Sequence, residues 1–259
     1  MDLQIAGKWA IVGASSRGLG LGCAKALAEA GCNLVINGRD TAKLESEAEA
    51  LGALGAPEVI VVAKDIGTKE GQDALFAACP NPDILVNNNG GPPLKPFEAL
   101  DADAIMAGVE QNMITPIMLI QRALPGMKER GFGRIVNITS SSVLAPIPGL
   151  DVSSGARAGL TAFVAGVAKN AAEHNVTINN ILPGKMDTDR LRGNLEALAK
   201  RTGKSVEDAK AGSIASIPAK RFGTADEFGA ACAFLCSGHA GYITGQNLLM
   251  DGGLLGRAF

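Results

Sequence analysis

The sequence lacks a charge excess: 24 Lys and Arg stand against 26 Asp and Glu, a formal charge of -2, with no basic run or basic-aromatic stripe. Nothing in it builds the field that a phosphate backbone requires, which excludes nucleic acid as an expected partner. It also lacks long apolar runs, since charges, Gly or Pro break each one well before the ~20 residues of a membrane span. A soluble chain with no membrane partner is expected. The opening stretch MDLQIAGKWAIVG carries Asp2 and Lys8 where a secretion signal needs unbroken apolar sequence, so no such signal is expected either. Close cysteine pairs are missing. Cys23, Cys32, Cys79, Cys232 and Cys236 are an odd count scattered through apolar sequence, which argues against a disulfide framework and for a reducing, cytoplasmic compartment. Cys232 and Cys236 lie four apart near His239, but the helix AACAFLC needs both as small core residues and no fourth ligand is evident; no metal is expected.

What is present is ample core material. The 259 residues are 47% hydrophobic and 19% charged, enough for one large core. Strand-like apolar runs alternate with helical patterns. WAIVG precedes a helix from Leu19 to Ala30, NLVIN precedes one from Thr41 to Leu51, and EVIVVA precedes one from Thr68 to Ala78. DILVN (83–87), a long helical stretch from Asp101, RIVNI (134–138), a helix through Ala156 to Ala172, TINNIL (177–182) and NLLM (247–250) continue the rhythm. Repeated βαβ units imply a parallel sheet, and near-continuous apolar strands imply burial on both faces. The expected fold is α/β: a single domain over 1–259 with a doubly wound, seven-stranded parallel sheet of the Rossmann type. Residues 185–218 are polar, carry two Lys/Arg clusters and interrupt the rhythm just after a strand end. They read as a helical flap over a cleft, with an ordinary surface insertion as the alternative.

After the first strand comes Gly13-Ala14-Ser15-Ser16-Arg17-Gly18-Leu19-Gly20, followed at once by helical sequence. Glycines there let the backbone turn tightly and bring unpaired helix N–H groups against a pyrophosphate. At these residues the sequence resembles the short-chain dehydrogenase/reductase family, whose G-x-x-x-G-x-G turn is placed on Gly13, Gly18 and Gly20. Asp65, with Ile66 beside it, stands where the family contacts adenine. Asn87-Asn88-Asn89-Gly90 resembles the family's N-N-A-G, and Pro183-Gly184 followed by Thr188 resembles its P-G-x-x-x-T. The segment IPAKRFGTADEFGAACAFLCSGHAGYITGQNLLMDGG resembles the C-terminal part of the ketoacyl-carrier-protein-reductase branch. The resemblance covers almost the whole chain and implies a dinucleotide-binding fold, a small-molecule substrate and a homotetramer. A tetramer also suits the small and apolar residues that cover more than one face of the helix from Gly155 to Ala172. The second strand ends Ile36-Asn37-Gly38-Arg39 with no carboxylate to accept ribose hydroxyls, while Arg17 and Arg39 are placed to converge on a 2′-phosphate. NADP(H) is expected over NAD(H), with two solvated surface arginines as the alternative.

The resemblance places Ser140 at the family's carbonyl-binding serine and Asn112 at its helix asparagine. Pro116, four residues after Asn112, cannot donate to that residue's carbonyl, so a bend and a free carbonyl able to hold a water are expected. The family's Tyr-x-x-x-Lys pair has no counterpart in type. Aligning on Ser140 and on Ala158-Gly159-Leu160 puts Ser153 at the tyrosine position and Arg157 at the lysine position, and the only tyrosine, Tyr242, lies far away in the C-terminal segment. A serine hydroxyl is a far weaker acid than a phenol, and arginine cannot shuttle a proton near neutral pH. Loss of a positioned general acid costs ~10² to 10⁴ in rate, and Asp151, Lys185 and a water on Asn112 are the substitutes the chain offers. Three readings follow: an NADP-dependent oxidoreductase with an altered acid/base arrangement, a non-redox lyase or dehalogenase on the same scaffold, and a nucleotide-binding protein without turnover. The cofactor motifs favour the first.

Overall fold

The computed structural model describes residues 1–92 and 94–256. Seven parallel strands form one sheet: β1 (Trp9–Val12), β2 (Asn33–Gly38), β3 (Val59–Ala63), β4 (Ile84–Asn87), β5 (Gly133–Ile138), β6 (Val176–Pro183) and β7 (Asn247–Met250). Their order is β3-β2-β1-β4-β5-β6-β7, the doubly wound arrangement whose strand order reverses between β1 and β4 and opens a crevice at their carboxyl ends. Side chains alternate across the pleat, so each strand feeds two cores. Val12, Ile36, Val86 and Ile181 face one layer, formed by α1 (Gly18–Glu29), α2 (Thr41–Leu54) and α9 (Ala225–Cys236). Ile11, Val35, Leu85 and Ile178 face the other, formed by α3 (Lys69–Ala78), α5 (Thr115–Arg130) and α6 (Asp151–Ala171). The remaining helices are α4 (Ala102–Val109), α7 (Asp189–Thr202) and α8 (Val206–Ala215).

Two helices approach more closely than side chains would allow. A Cβ at Gly229 of α9 would lie 2.1 Å from the Gly22 carbonyl of α1, and one at Gly22 would lie 2.2 Å from the Ala225 carbonyl. Cys232 and Cys236 are sealed in this layer.

The sheet also carries a polar line. Asn87, Asn137, Asn180 and Asn247 are in register across β4, β5, β6 and β7. Each Nδ2 donates to the next residue's Oδ1, from Asn87 to Asn137 at 2.8 Å, Asn137 to Asn180 at 2.9 Å and Asn180 to Asn247 at 2.8 Å.

The stretch 185–218 is helical, as expected. Its α7 and α8 have a small apolar cluster of their own around Leu195, Ile217 and Phe222. Between α4 and α5 the chain makes a π-helical turn over Glu110–Ile114, in which the Thr115 amide donates to the Glu110 carbonyl five residues back. The expected bend at Pro116 therefore takes the form of one inserted residue, a geometry frequent at functional sites.

Candidate functional site

The glycine turn differs from its expected form. Four residues, not three, separate Gly13 from Gly18, so the three-residue spacing begins at Ala14. Ala14 has a φ of 43°, in the region where a Cβ is strained and glycine is the ordinary occupant. Gly13 has a different task. A Cβ there would meet the Asn88 carbonyl at 2.5 Å, so the end of β1 presses directly on the loop after β4. Gly18 has a φ of 58° and faces the Thr188 methyl group, which joins the second motif to the first. Leu19 and Gly20 continue into α1.

Two of the expected cofactor residues hold the turn from inside. Buried Ser15 donates its hydroxyl to the Val12 carbonyl and accepts the Asn37 amide. Asn37 accepts the Ala14 amide on Oδ1 and donates from Nδ2 to the carbonyls of Val62 and Lys64. Their side chains are thereby spent on shape. The groups left facing outward are Ser16, whose hydroxyl lies beside Gly38, with exposed Arg17 and Arg39 on either side. Asp40, which follows Arg39 in the chain, caps α2 by accepting the Lys43 amide. Helix α1 has no side-chain cap and no acid in its first turn, whereas Asp40, Thr68, Thr188 and Thr224 cap α2, α3, α7 and α9. Free amides, the positive helix end and two guanidinium groups suit an anion with a second phosphate near β2. Arg17 also stands 3.8 Å from Asp189 of α7, a pair exposed on both sides.

Around this turn the other motif residues close the crevice. Asp65 takes the Gly67 amide and holds the loop after β3, and Ile66 packs into the core beneath it. Gly184 follows Pro183 at the end of β6 and donates its amide to the Met250 carbonyl; a Cβ there would strike Asp251 at 2.6 Å. Thr188 caps α7.

Three of the four expected catalytic positions, Asn112, Ser153 and Arg157, form one chain of hydrogen bonds. Arg157 Nε donates to Ser153 Oγ at 3.1 Å, Ser153 Oγ donates to Asn112 Oδ1 at 3.2 Å, and Asn112 Nδ2 donates to the Gly90 carbonyl at 3.0 Å. Asn112 is thus engaged through both ends of its side-chain amide. Arg157 also donates through Nη1 to the Ile138 carbonyl at the end of β5. Ser140, two residues past that carbonyl, accepts the Ser142 amide in the turn that follows. Arg157 is buried and, among the described residues, has no carboxylate within ion-pair reach. Burial, with the charge of Arg190 adding to it, pulls its pKa down from 12.5 to about 10.

Behind this chain lies a cavity lined by Asn87, Gln111, Asn112, Thr115, Ile138 and Arg157, among others. Asn87 Oδ1 and Thr115 Oγ1 are buried without a hydrogen-bond partner. Orphaned buried oxygens beside a cavity are where ordered water is held. A second, smaller cavity is lined by Pro92, Lys95, Leu100, Gly149, Leu150, Val152 and Ser153.

Sequence reasoning missed Thr115, Lys95 and Arg190. Thr115 had one signal, a hydroxyl directly before a proline inside a helical stretch. Arg190 had none: it donates to the Pro92 carbonyl at 3.2 Å, while Asp187 and Asp189 pair with Arg192.

Comparison with known proteins agrees with this fold. The family profile described as enoyl-(acyl carrier protein) reductase matches residues 13–255. The NADPH-dependent reductase BacG of Bacillus subtilis (strain 168) is 34% identical over 250 residues, spanning 94% of this chain and 96% of that protein. D-beta-hydroxybutyrate dehydrogenase of Cupriavidus necator is 33% identical over 251 residues, spanning 95% and 97%. Among solved structures, YwfH, an NADPH dependent reductase involved in bacilysin biosynthesis, superposes with a TM-score of 0.91 at 32% identity and covers 97% of this chain and 100% of its own. L-Sorbose reductase from Gluconobacter frateurii, complexed with NADPH and L-sorbose, gives 0.92 at 29% identity, covering 99% and 100%. From the glycine turn to the last strand, the chain belongs to the short-chain dehydrogenase/reductase family.

Proposed function

We propose that the protein is an NADP(H)-dependent oxidoreductase acting on a small carbonyl, imine or alcohol, with Ser153 and Arg157 standing where its relatives carry tyrosine and lysine and with a proton donor other than tyrosine. The observation that carries this reading is the hydrogen-bonded chain Arg157–Ser153–Asn112, which keeps a buried cation against the hydroxyl of the expected tyrosine position. NADP(H) fits the residues present. The uncapped amides of α1, with Gly18, Leu19 and Gly20, would take the pyrophosphate; Ser16, Arg17 and Arg39 would take the 2′-phosphate, with Asp40 drawn off into its cap. Asp65, Ile66, Asn87 and Gly90 would line the adenosine side, and Pro183, Gly184 and Thr188 the nicotinamide side. That two similar proteins are named NADPH-dependent reductases supports the same choice.

When bound, the nicotinamide supplies or accepts a hydride. Ser140 donates a hydrogen bond to the substrate oxygen, and Ser153 donates a second once its proton turns from Asn112 Oδ1. Arg157 places a positive charge beside that oxygen in a water-poor site, where stabilisation of developing negative charge is strongest. Water in the cavity under Asn87, Asn112 and Thr115 gives the proton. The decisive measurement is single-turnover oxidation of bound NADPH against a panel of ketones, aldehydes and imines. Hydride transfer to a member of the panel, lost in Ser153→Ala, supports the reading; tight NADPH binding with no transfer to any of them overturns it in favour of a nucleotide-binding protein. A cytoplasmic homotetramer belongs to the same proposal, on the exposed Met118 of α5 and Phe163 of α6, and a monomer in sedimentation at micromolar concentration would remove it.

A further inference from the structure

Positive charge gathers around Ser153 with nothing of opposite sign to balance it. Arg157 donates to Ser153 itself. Arg190, from the start of α7, reaches across to the loop after β4, where it donates to the Pro92 carbonyl and lies so close to Gly91 that a Cβ there would come within 2.3 Å of its guanidinium. Gly90, the next residue back, accepts the Asn112 bond that ends the Arg157–Ser153 chain. Lys95 lines the small cavity that has Pro92 at one side and Ser153 at the other. Among the described residues none of the three has a carboxylate within ion-pair reach. The acids nearby are committed elsewhere: Asp187 and Asp189 to Arg192, and Asp151 to the Gly149 amide at 3.2 Å. Of the three only Arg157 is buried, and an anionic ligand would relieve its desolvation cost while pairing with the more open Arg190 and Lys95.

We infer that the substrate is an oxo acid whose carboxylate is held between Arg190 and Lys95 at the loop after β4, while its carbonyl faces Ser153 and Arg157. This rests on the functional reading above. The chemistry also agrees. Pairing with two cations offsets the carboxylate charge that would otherwise oppose hydride addition: the hydride adds to the carbonyl carbon, the C=O pair moves to oxygen, and that oxygen takes a proton from water, whose hydroxide passes to solvent, as NADPH is oxidised to NADP. A weak acid at position 153 then suffices, because Arg157 steadies the oxyanion until water protonates it. Lys185, at the base of the flap, is engaged with Ser216 at 3.0 Å and takes no part in the carboxylate site.

The test compares pyruvate and acetoacetate with their methyl esters, as substrates and as ligands of the NADPH-loaded protein by calorimetry. One charge-assisted contact predicts a preference of about 10- to 100-fold for acid over ester. Arg190→Gln should abolish that preference and leave NADPH affinity intact, while Arg192→Gln should keep both. Esters binding as well as the acids overturns the inference. So does an Arg190→Gln variant that loses NADPH affinity and keeps its acid preference, since the guanidinium then serves the cofactor's pyrophosphate. If acids bind selectively and nothing is reduced, the anion site stands and the oxidoreductase reading falls.

Discussion

Replacing Arg157 by lysine keeps a cation at the base of the cleft and changes what that cation can do. The guanidinium donates in two directions, to Ser153 and to the Ile138 carbonyl. One ammonium group cannot span both, and the lost charge-assisted bond costs about 1.5–3 kcal/mol of stability. The effect on the proton is larger. Burial first, and the Arg190 charge second, bring Arg157 from 12.5 to about 10. The same depression applied to a lysine, which starts near 10.4, leaves it at ~8. Arg157→Lys should therefore add an ionisation near pH ~8 to the single-turnover rate, one that the native arginine does not have. A second readout is independent of activity. Below pH ~8 the lysine is protonated in both folded and unfolded chains, and the folded state bears the whole burial cost; between ~8 and ~10.4 the folded chain has released a proton that the unfolded chain still holds. Stability of the variant relative to the native protein should thus climb with pH across that window, by about 3 kcal/mol in all. Urea denaturation of both proteins at a series of pH values measures it. A flat difference together with an unchanged rate profile would show that position 157 is open to water, and the electrostatic account of the site would fail.

Arg39→Ala should weaken NADPH by about 10-fold or more and NADH little, read by titration; equal loss for both would remove the phosphate-binding role of Arg39. Gly229→Ala forces a methyl group onto the Gly22 carbonyl at 2.1 Å and should cost about 3 kcal/mol in chemical denaturation, because backbone on both helices must shift. Asn137→Leu leaves Asn180 Oδ1 buried without a donor and should cost about 2–4 kcal/mol; adding Asn180→Leu should cost less than the sum of the two single changes.

Fold and site were legible to different depths. Continuous apolar runs such as ILVN and NLVIN give parallel strands wherever helices cover both faces, so the sheet follows from local sequence. The Ser153–Arg157 spacing placed both residues on one face of α6, four apart, and the hydrogen bond between them is the direct result. Long-range consequences were not legible. Asn37 and Ser15 looked like ligand contacts because they are polar residues at a strand end and in a turn, yet they satisfy backbone groups brought close only by the folded sheet. The spacing that puts Ala14 at the motif's first glycine is legible, since four residues separate Gly13 from Gly18, but its residue type gives no sign of the positive φ that Ala14 adopts. Arg190 sits 98 positions from its partner Pro92, a separation no local pattern reports.

The asparagine line across β4 to β7 has one further consequence. Every amide in it points the same way, nitrogen toward β7, so reversing any one would set two oxygens or two nitrogens face to face. The four orientations therefore switch together or not at all, as compass needles in a row do, and mutual polarisation deepens the bias. The oxygen left over at the β4 end, Asn87 Oδ1, opens onto the cavity that also holds Arg157. A side chain on the edge strand thus helps to fix the polarity with which the protein greets a water molecule three strands away.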